Sequence, residues 1–168
     1  IVVFIEPIAL YMTKDLHKAK DGKWEFVYPE LNDESTIGEY RPYGNGTSLT
    51  ILTYGNGLYL SLQAQKEIEK KLGKKIKIID LMWISDINYE TLLKEITPCK
   101  NILIVDECRR SGCHGEGIFT NLALKSKIPL NIALHAAEDS FISIGKAATV
   151  TLPSKDSIVE NALNLVNG

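Results

Sequence analysis

The sequence predicts an α/β fold: a three-layer α/β/α domain around a mostly parallel sheet of about five strands. Two observations carry this. Short β-branched, apolar runs recur along the chain, at Leu49–Tyr54, Ile76–Leu81, Ile102–Val105 and Leu130–His135. Amphipathic segments with helical spacing stand between them, and that alternation is the mark of parallel strands joined by crossover helices. The run Ile102–Val105 has no polar alternation, as expected of a strand covered on both faces.

The elements follow in order. Ile1–Ile5 is an apolar β-rich run ended by Glu6 and Pro7, and reads as a strand. A chain that opens on such a run reads as part of a longer polypeptide. Between Lys14 and Gly46 the rhythm is lost; the stretch is charged, aromatic and broken by Gly22, Pro29, Gly38, Pro42, Gly44 and Gly46. It reads as a surface arm, with a short extended piece near Glu39–Arg41. The expected division is therefore an end piece plus arm over residues 1–46 and an α/β domain over 47–168.

After the strand Leu49–Tyr54, Gly55-Asn56-Gly57 forms a tight turn into a helix. That helix carries Leu58, Leu62, Ile68 and Leu72 on one face and ends at Gly73. Asn88 opens the next helix, with Tyr89, Leu92, Leu93 and Ile96 at helical spacing before Pro98. Cys108–Gly115 reads as a glycine-bearing loop, and a helix is expected from Glu116 to about Lys125. Ala148–Leu152 reads as a short last strand, and Ser154 as the cap of a final helix striped by Ile158, Ala162, Leu165 and Val166.

Composition narrows the function. The chain is 45% hydrophobic and 24% charged, with a net charge of -2. That balance suits a globular protein and gives no general footprint for nucleic acid. No apolar run reaches a membrane span. The three cysteines, Cys99, Cys108 and Cys113, suit free thiols in a reducing cytoplasm.

Each chemical motif has a plain competitor. Gly55-Asn56-Gly57 lies where a phosphate-binding turn would lie, but Leu60 stands where a dinucleotide fingerprint needs a third glycine. A stand-alone nucleotide-binding regulator therefore rests on that turn and on Asp80 as a ribose acid. Cys108, Cys113 and His114 lack the paired spacing of a zinc site, and His114 is poorly placed to activate its neighbour Cys113. Asp106, Glu107, Arg109 and Arg110 follow the buried strand, where the carboxyl end of an open sheet faces its crevice. They form either an ion-pair network within the domain or contacts with a partner, and Glu138 and Asp139 pose the same choice. Trp24, Phe26 and Tyr28 either dock on the domain itself or on another subunit, where aromatics are enriched.

Several stretches together resemble the decarboxylating components of thiamine-diphosphate-dependent 2-oxoacid dehydrogenases. Ile1–Tyr11 resembles the end of their pyrimidine-binding domain. Thr53-Tyr54-Gly55-Asn56-Gly57-Leu58-Tyr59-Leu60 resembles the first strand and turn of their C-terminal, transketolase-like domain. Ile79–Ile84, Val105–Gly112 and Ala137–Ile142 complete the match, with Ser85-Asp86 and Ile142-Ser143 departing from the usual proline-containing forms. The arm, with Tyr11–His17 and Trp24, is most similar to fused bacterial forms associated with branched-chain (2-oxoisovalerate) substrates.

The resemblance implies an oxidoreductase parent acting on pyruvate or a branched-chain 2-oxoacid, with a lipoyl acceptor. It implies thiamine diphosphate and magnesium bound outside these 168 residues, because the Gly-Asp-Gly diphosphate motif is missing. No catalytic, cofactor or metal residue is carried over, and the piece alone is expected to be inactive. It implies partners: a homodimer or heterotetramer subunit, and the subunit-binding domain of an acyltransferase core. The interface residues it points to are Trp24, Phe26, Tyr28, Asp106, Glu107, Arg109 and Arg110. A transketolase or a deoxyxylulose-phosphate synthase shares the architecture; Asp106-Glu107-Cys108-Arg109 and the arm argue for the dehydrogenase.

Overall fold

The computed structural model describes all residues, Ile1–Gly168. Its centre is a five-stranded sheet in the order β1-β3-β2-β4-β5. The strands are β1 (Arg41–Tyr43), β2 (Thr50–Thr53), β3 (Lys77–Asp80), β4 (Asn101–Arg109) and β5 (Asn131–Ala137). The pairs β2–β3, β2–β4 and β4–β5 are parallel; β1 alone runs antiparallel, along β3. The sheet thus begins at Arg41, inside the arm expected from the sequence and next to the extended piece foreseen at Glu39–Arg41.

Helices cover both faces. The long helix α1 (Asn56–Leu72) and the last helix α5 (Lys155–Asn167) bury Leu58, Leu62, Ile68, Ile158 and Ala162 against Ile51, Ile78, Leu103 and Val105. On the opposite face, α2 (Tyr89–Ile96) and α3 (His114–Lys125) bury Leu92, Ile96, Ile118 and Leu122 against Leu52, Ile79, Ile102 and Ile104. Period-two alternation in the strands sends neighbours to opposite cores, which gives three layers. No helix is long and apolar enough to cross a membrane.

The capping residues are those the sequence singled out. The Asn88 side chain accepts from the Thr91 amide, and Gly73 ends α1 in the left-handed conformation. Ser154 caps α5 in a reciprocal box with Ser157.

Three expectations are corrected. Ile1–Ile5 forms no strand: the five residues pair with nothing in this sheet and stay 70% exposed or more. Extended propensity makes a strand only where a neighbour supplies the hydrogen bonds. Ala148–Leu152 is not a strand either, because Ala148–Thr151 closes a short helix, α4. There the Thr149 and Thr151 hydroxyls donate back to the carbonyls of Lys146 and Ala148. Finally, the Cys108–Gly115 loop is shorter than expected. β4 continues to Arg109 through an irregularity after Val105, and α3 starts at His114.

Gly55 and Gly57 serve the β2–α1 turn in different ways. Gly55 has φ +55°, a conformation that favours glycine. Gly57 is helical, but a β-carbon there would lie 2.1 Å from Thr53 Oγ1 and 3.3 Å from the Val105 carbonyl. The Thr53 hydroxyl cannot retreat freely, since it donates to that carbonyl at 3.0 Å in a buried position. Gly57→Val should therefore lower stability by about 3 kcal/mol in urea denaturation, the scale of an overpacked core. An unchanged midpoint would mean that the turn absorbs the side chain.

Asp80 ends β3 opposite Arg41. Burial pushes its carboxyl up to about 6, against the opposing pull of Arg41. The folded protein thus holds this proton to higher pH than the unfolded chain does. The contribution of the neutral form is complete near pH 4 and is lost as pH rises past 6. Asp80→Asn should leave stability at pH 4 nearly unchanged and raise it at pH 7 by about 2 kcal/mol. Urea titrations at the two pH values check the difference.

Candidate functional site

Strand order reverses between β2 and β4, and their carboxyl ends face the crevice where open α/β sheets place ligands. The N-termini of α1 and α3 meet there. In β4, Ile102 and Ile104 point to the α2–α3 core, so the period-two pattern sends Asp106 the same way. It is 1% exposed. One carboxylate oxygen accepts the Cys108 amide at 2.9 Å, and the other accepts the Gly115 amide at 2.8 Å. A β-carbon on Gly115 would stand 2.6 Å from Leu134 Cδ1 and 3.2 Å from Asp106 Oδ2, so α3 sits on the strand only because residue 115 is glycine.

Around this carboxylate lie Tyr54, Cys108 and Cys113. Burial, then the neighbouring Asp106, raises the Tyr54 phenol well above its ordinary range. Burial and Asp106 also raise the thiols of Cys108 and Cys113. A raised thiol is the opposite of an activated nucleophile. All three cysteines are free, Cys108 being exposed while Cys99 and Cys113 are buried. The His114 ring stands edge-on to Tyr54 at 6.1 Å.

The structure separates the interface candidates. Asp106 is withdrawn from that set, since both its oxygens are held by backbone amides of its own domain. Glu107 is half-buried; burial pushes its carboxyl up while the Asn56 side chain opposes this. Arg109 and Arg110 are exposed, and neither reaches a carboxylate within 4.0 Å. The ion-pair network within the domain is therefore not formed. Asp139 instead takes the amide and hydroxyl of Ser111, at 2.7 and 2.6 Å.

The aromatic arm is also divided. Trp24 is half-buried and packs edge-on against Tyr59 of α1, at 5.1 Å, and against Phe26, at 5.3 Å. It docks on its own domain. Phe26 and Tyr28 remain 57% and 90% exposed.

The strand-end residues do not suit the diphosphate and magnesium of thiamine diphosphate. A diphosphate at the α1 or α3 N-terminus would meet Asp106 and Glu107, and the free amides an anion needs are partly taken by Asp106. No three of His, Cys, Asp and Glu gather where they could share an ion.

The layers and the switch point define the class: an open, doubly wound α/β domain whose central strand end is closed by the buried Asp106. The family model for the transketolase C-terminal domain matches residues 38–151, and the chain belongs to that family. It is 28% identical over 163 residues to the pyruvate dehydrogenase E1 component subunit beta of Staphylococcus epidermidis, covering 96% of this chain and 47% of that one. To the same subunit of Staphylococcus aureus the identity is 26% over 163 residues, with the same coverage. The chain spans about half the length of these curated relatives. In fold it is similar to a split-gene transketolase described as an inactive beta4 tetramer, with TM-score 0.69 and 18% identity. That match covers 83% of this chain and 46% of the other.

Asp106 was hidden in the sequence among four charged residues of the same strand end. The signal that could have isolated it is the even spacing of Ile102, Ile104 and Asp106. Asp106→Ala should lower stability by about 3 kcal/mol, because two amides lose their acceptor. Asp106→Asn, which keeps one acceptor oxygen, should lose roughly half as much. Equal stability of all three proteins in urea would show that water replaces the carboxylate.

Proposed function

We propose that this chain is the C-terminal domain of the decarboxylating component of a 2-oxoacid dehydrogenase, with residues 1–46 as the end of the pyrimidine-binding domain and its connecting arm. Its work is association: it adds surface to the contact between subunits and to the docking of an acyltransferase core. Decarboxylation of a 2-oxoacid, pyruvate or a branched-chain one, and transfer to a lipoyl group belong to the other domains. So do thiamine diphosphate and magnesium. The setting is the cytoplasm.

The likeness to pyruvate dehydrogenase E1 subunit beta over nearly the whole chain carries this reading. Phe26, Tyr28, Arg109 and Arg110 support it, being exposed aromatics and unpaired arginines of the kind that anchor interfaces. Glu107 borders the two arginines. The likeness in fold to a split transketolase favours a second reading, the same domain in a transketolase; the sequence likeness prefers the first.

A domain held by such anchors should form a weak, concentration-dependent dimer. Sedimentation equilibrium of Phe26→Ala with Arg109→Ala should show association at least about tenfold weaker than wild type. Trp24→Ala is a poor probe, since it also strips a contact from α1. A monomer at all concentrations, or a double variant that associates as tightly as wild type, would place the contact on another face.

A further inference from the structure

The first part of the arm, residues 14–23, is not a loose connection. Asp21 accepts four backbone amides: Leu16 at 2.9 Å, His17 at 2.9 Å, Lys18 at 3.1 Å and Lys23 at 3.1 Å. Asp15 accepts two more, Lys20 at 2.7 Å and Gly22 at 2.9 Å. These bonds outweigh desolvation and hold the Asp21 carboxyl far below its usual range. Lys20 takes φ +63° to let the chain wrap the two acids.

The loop is also tied down from below. Leu16 is buried in the α1–α5 core. The Tyr59 hydroxyl donates to the Asp15 carbonyl at 2.9 Å, and the Gln63 amide donates to the Leu16 carbonyl at 2.7 Å. Both come from α1. The two carboxylates are engaged by backbone amides of the loop, and with Lys14, Lys18, Lys20 and Lys23 against Asp15 and Asp21 the segment keeps an excess of positive charge.

Lys18, Lys20 and Lys23 are exposed on the loop, and Lys66 is exposed on the adjoining turn of α1. None makes an ion pair within 4.0 Å, whereas Lys14 has Glu25 at 3.7 Å, and Lys71 and Lys155 share Glu67. Lys66, Lys23 and Lys155 lie close enough to His17 to lower its imidazole, with burial as the larger cause. Lys18, Lys20 and Lys23 within one ordered loop, with Lys66 beside it near His17, concentrate unpaired positive charge on a chain of net charge -2.

We propose that residues 14–23 and Lys66 form a preformed docking surface for an acidic protein segment. Three observations choose this partner. A small anion such as phosphate needs converging amides, and six amides of this loop are already bound to Asp15 and Asp21. A nucleic acid needs a long cationic track and gains little from a compact patch on a protein of net negative charge. An acidic segment needs only a few carboxylates at lysine spacing, and the exposed Phe26 three residues beyond Lys23 offers an apolar contact at its edge. A rigid platform also spares the ordering cost that weakens binding to flexible loops. The inference shares only Phe26 with the self-association reading; its test changes lysines alone and uses another measurement.

The test is fluorescence anisotropy of a labelled oligoglutamate peptide titrated with the whole chain. Lys18→Glu/Lys20→Glu/Lys66→Glu should weaken binding at least about tenfold, and salt should weaken the wild-type complex. The control Lys100→Glu/Lys127→Glu/Lys146→Glu makes the same change of net charge at exposed lysines elsewhere. It should change affinity by less than about twofold. Lys→Gln versions of the loop triple, with melting curves matched to wild type, separate lost contact from lost folding. Equal weakening by both triples would reduce the effect to overall charge and overturn the proposal. So would tighter binding of single-stranded DNA of equal length than of the peptide.

Discussion

One buried carboxylate organises the upper edge of this domain. Asp106 closes the end of β4 by accepting from Cys108 and fixes α3 by accepting from Gly115. An unpaired carboxylate in that place would be costly, so the two amides and the approach of α3 are conditions for one another. Gly115 permits the approach on one face as Gly57 permits it on the other. At the crevice where other open sheets bind a ligand, this domain places a buried carboxylate held by its own backbone. This is why raised, unreactive groups gather there rather than activated ones.

The alternation of strands and helices was legible in the sequence because it depends on patterns longer than any local preference. α1, α2 and α5 kept their predicted faces and caps, since apolar stripes and capping side chains act together in each. Ile1–Ile5 and Ala148–Leu152 failed for one reason. β-branched residues prefer extended chain, but only a neighbouring strand turns that preference into structure. At Ala148–Thr151 the chain meets the end of β5 only through the Glu138 amide on the Thr151 carbonyl, and the threonine hydroxyls serve a helical turn instead.

The site was less legible. Four charges within five residues after an apolar run give no clue to which is buried, unless the strand is extended in thought by one residue. Arg109 and Arg110 stand at the strand end, yet only the fold shows that neither comes within 4.0 Å of a carboxylate. The loop of residues 14–23 left still less trace. Its order comes from two aspartates that bind backbone, and such bonds have no periodicity. A lysine-rich, glycine-bearing stretch with that spacing looks like solvated chain until the amides are counted.

The strand order has a consequence for how the molecule comes into being. Its central pair, β2 and β4, joins Thr50 to Ile102 and Leu52 to Ile104, and no two strands consecutive in the chain form a hairpin. As the polypeptide leaves the ribosome, β2 emerges long before the strand that will flank it on its second side. The apolar residues of β2 must then wait for about fifty more residues, at a time when loop closure still opposes pairing. Nascent chains of this topology therefore depend on early helices, α1 above all, to shield half-built strands until β4 arrives.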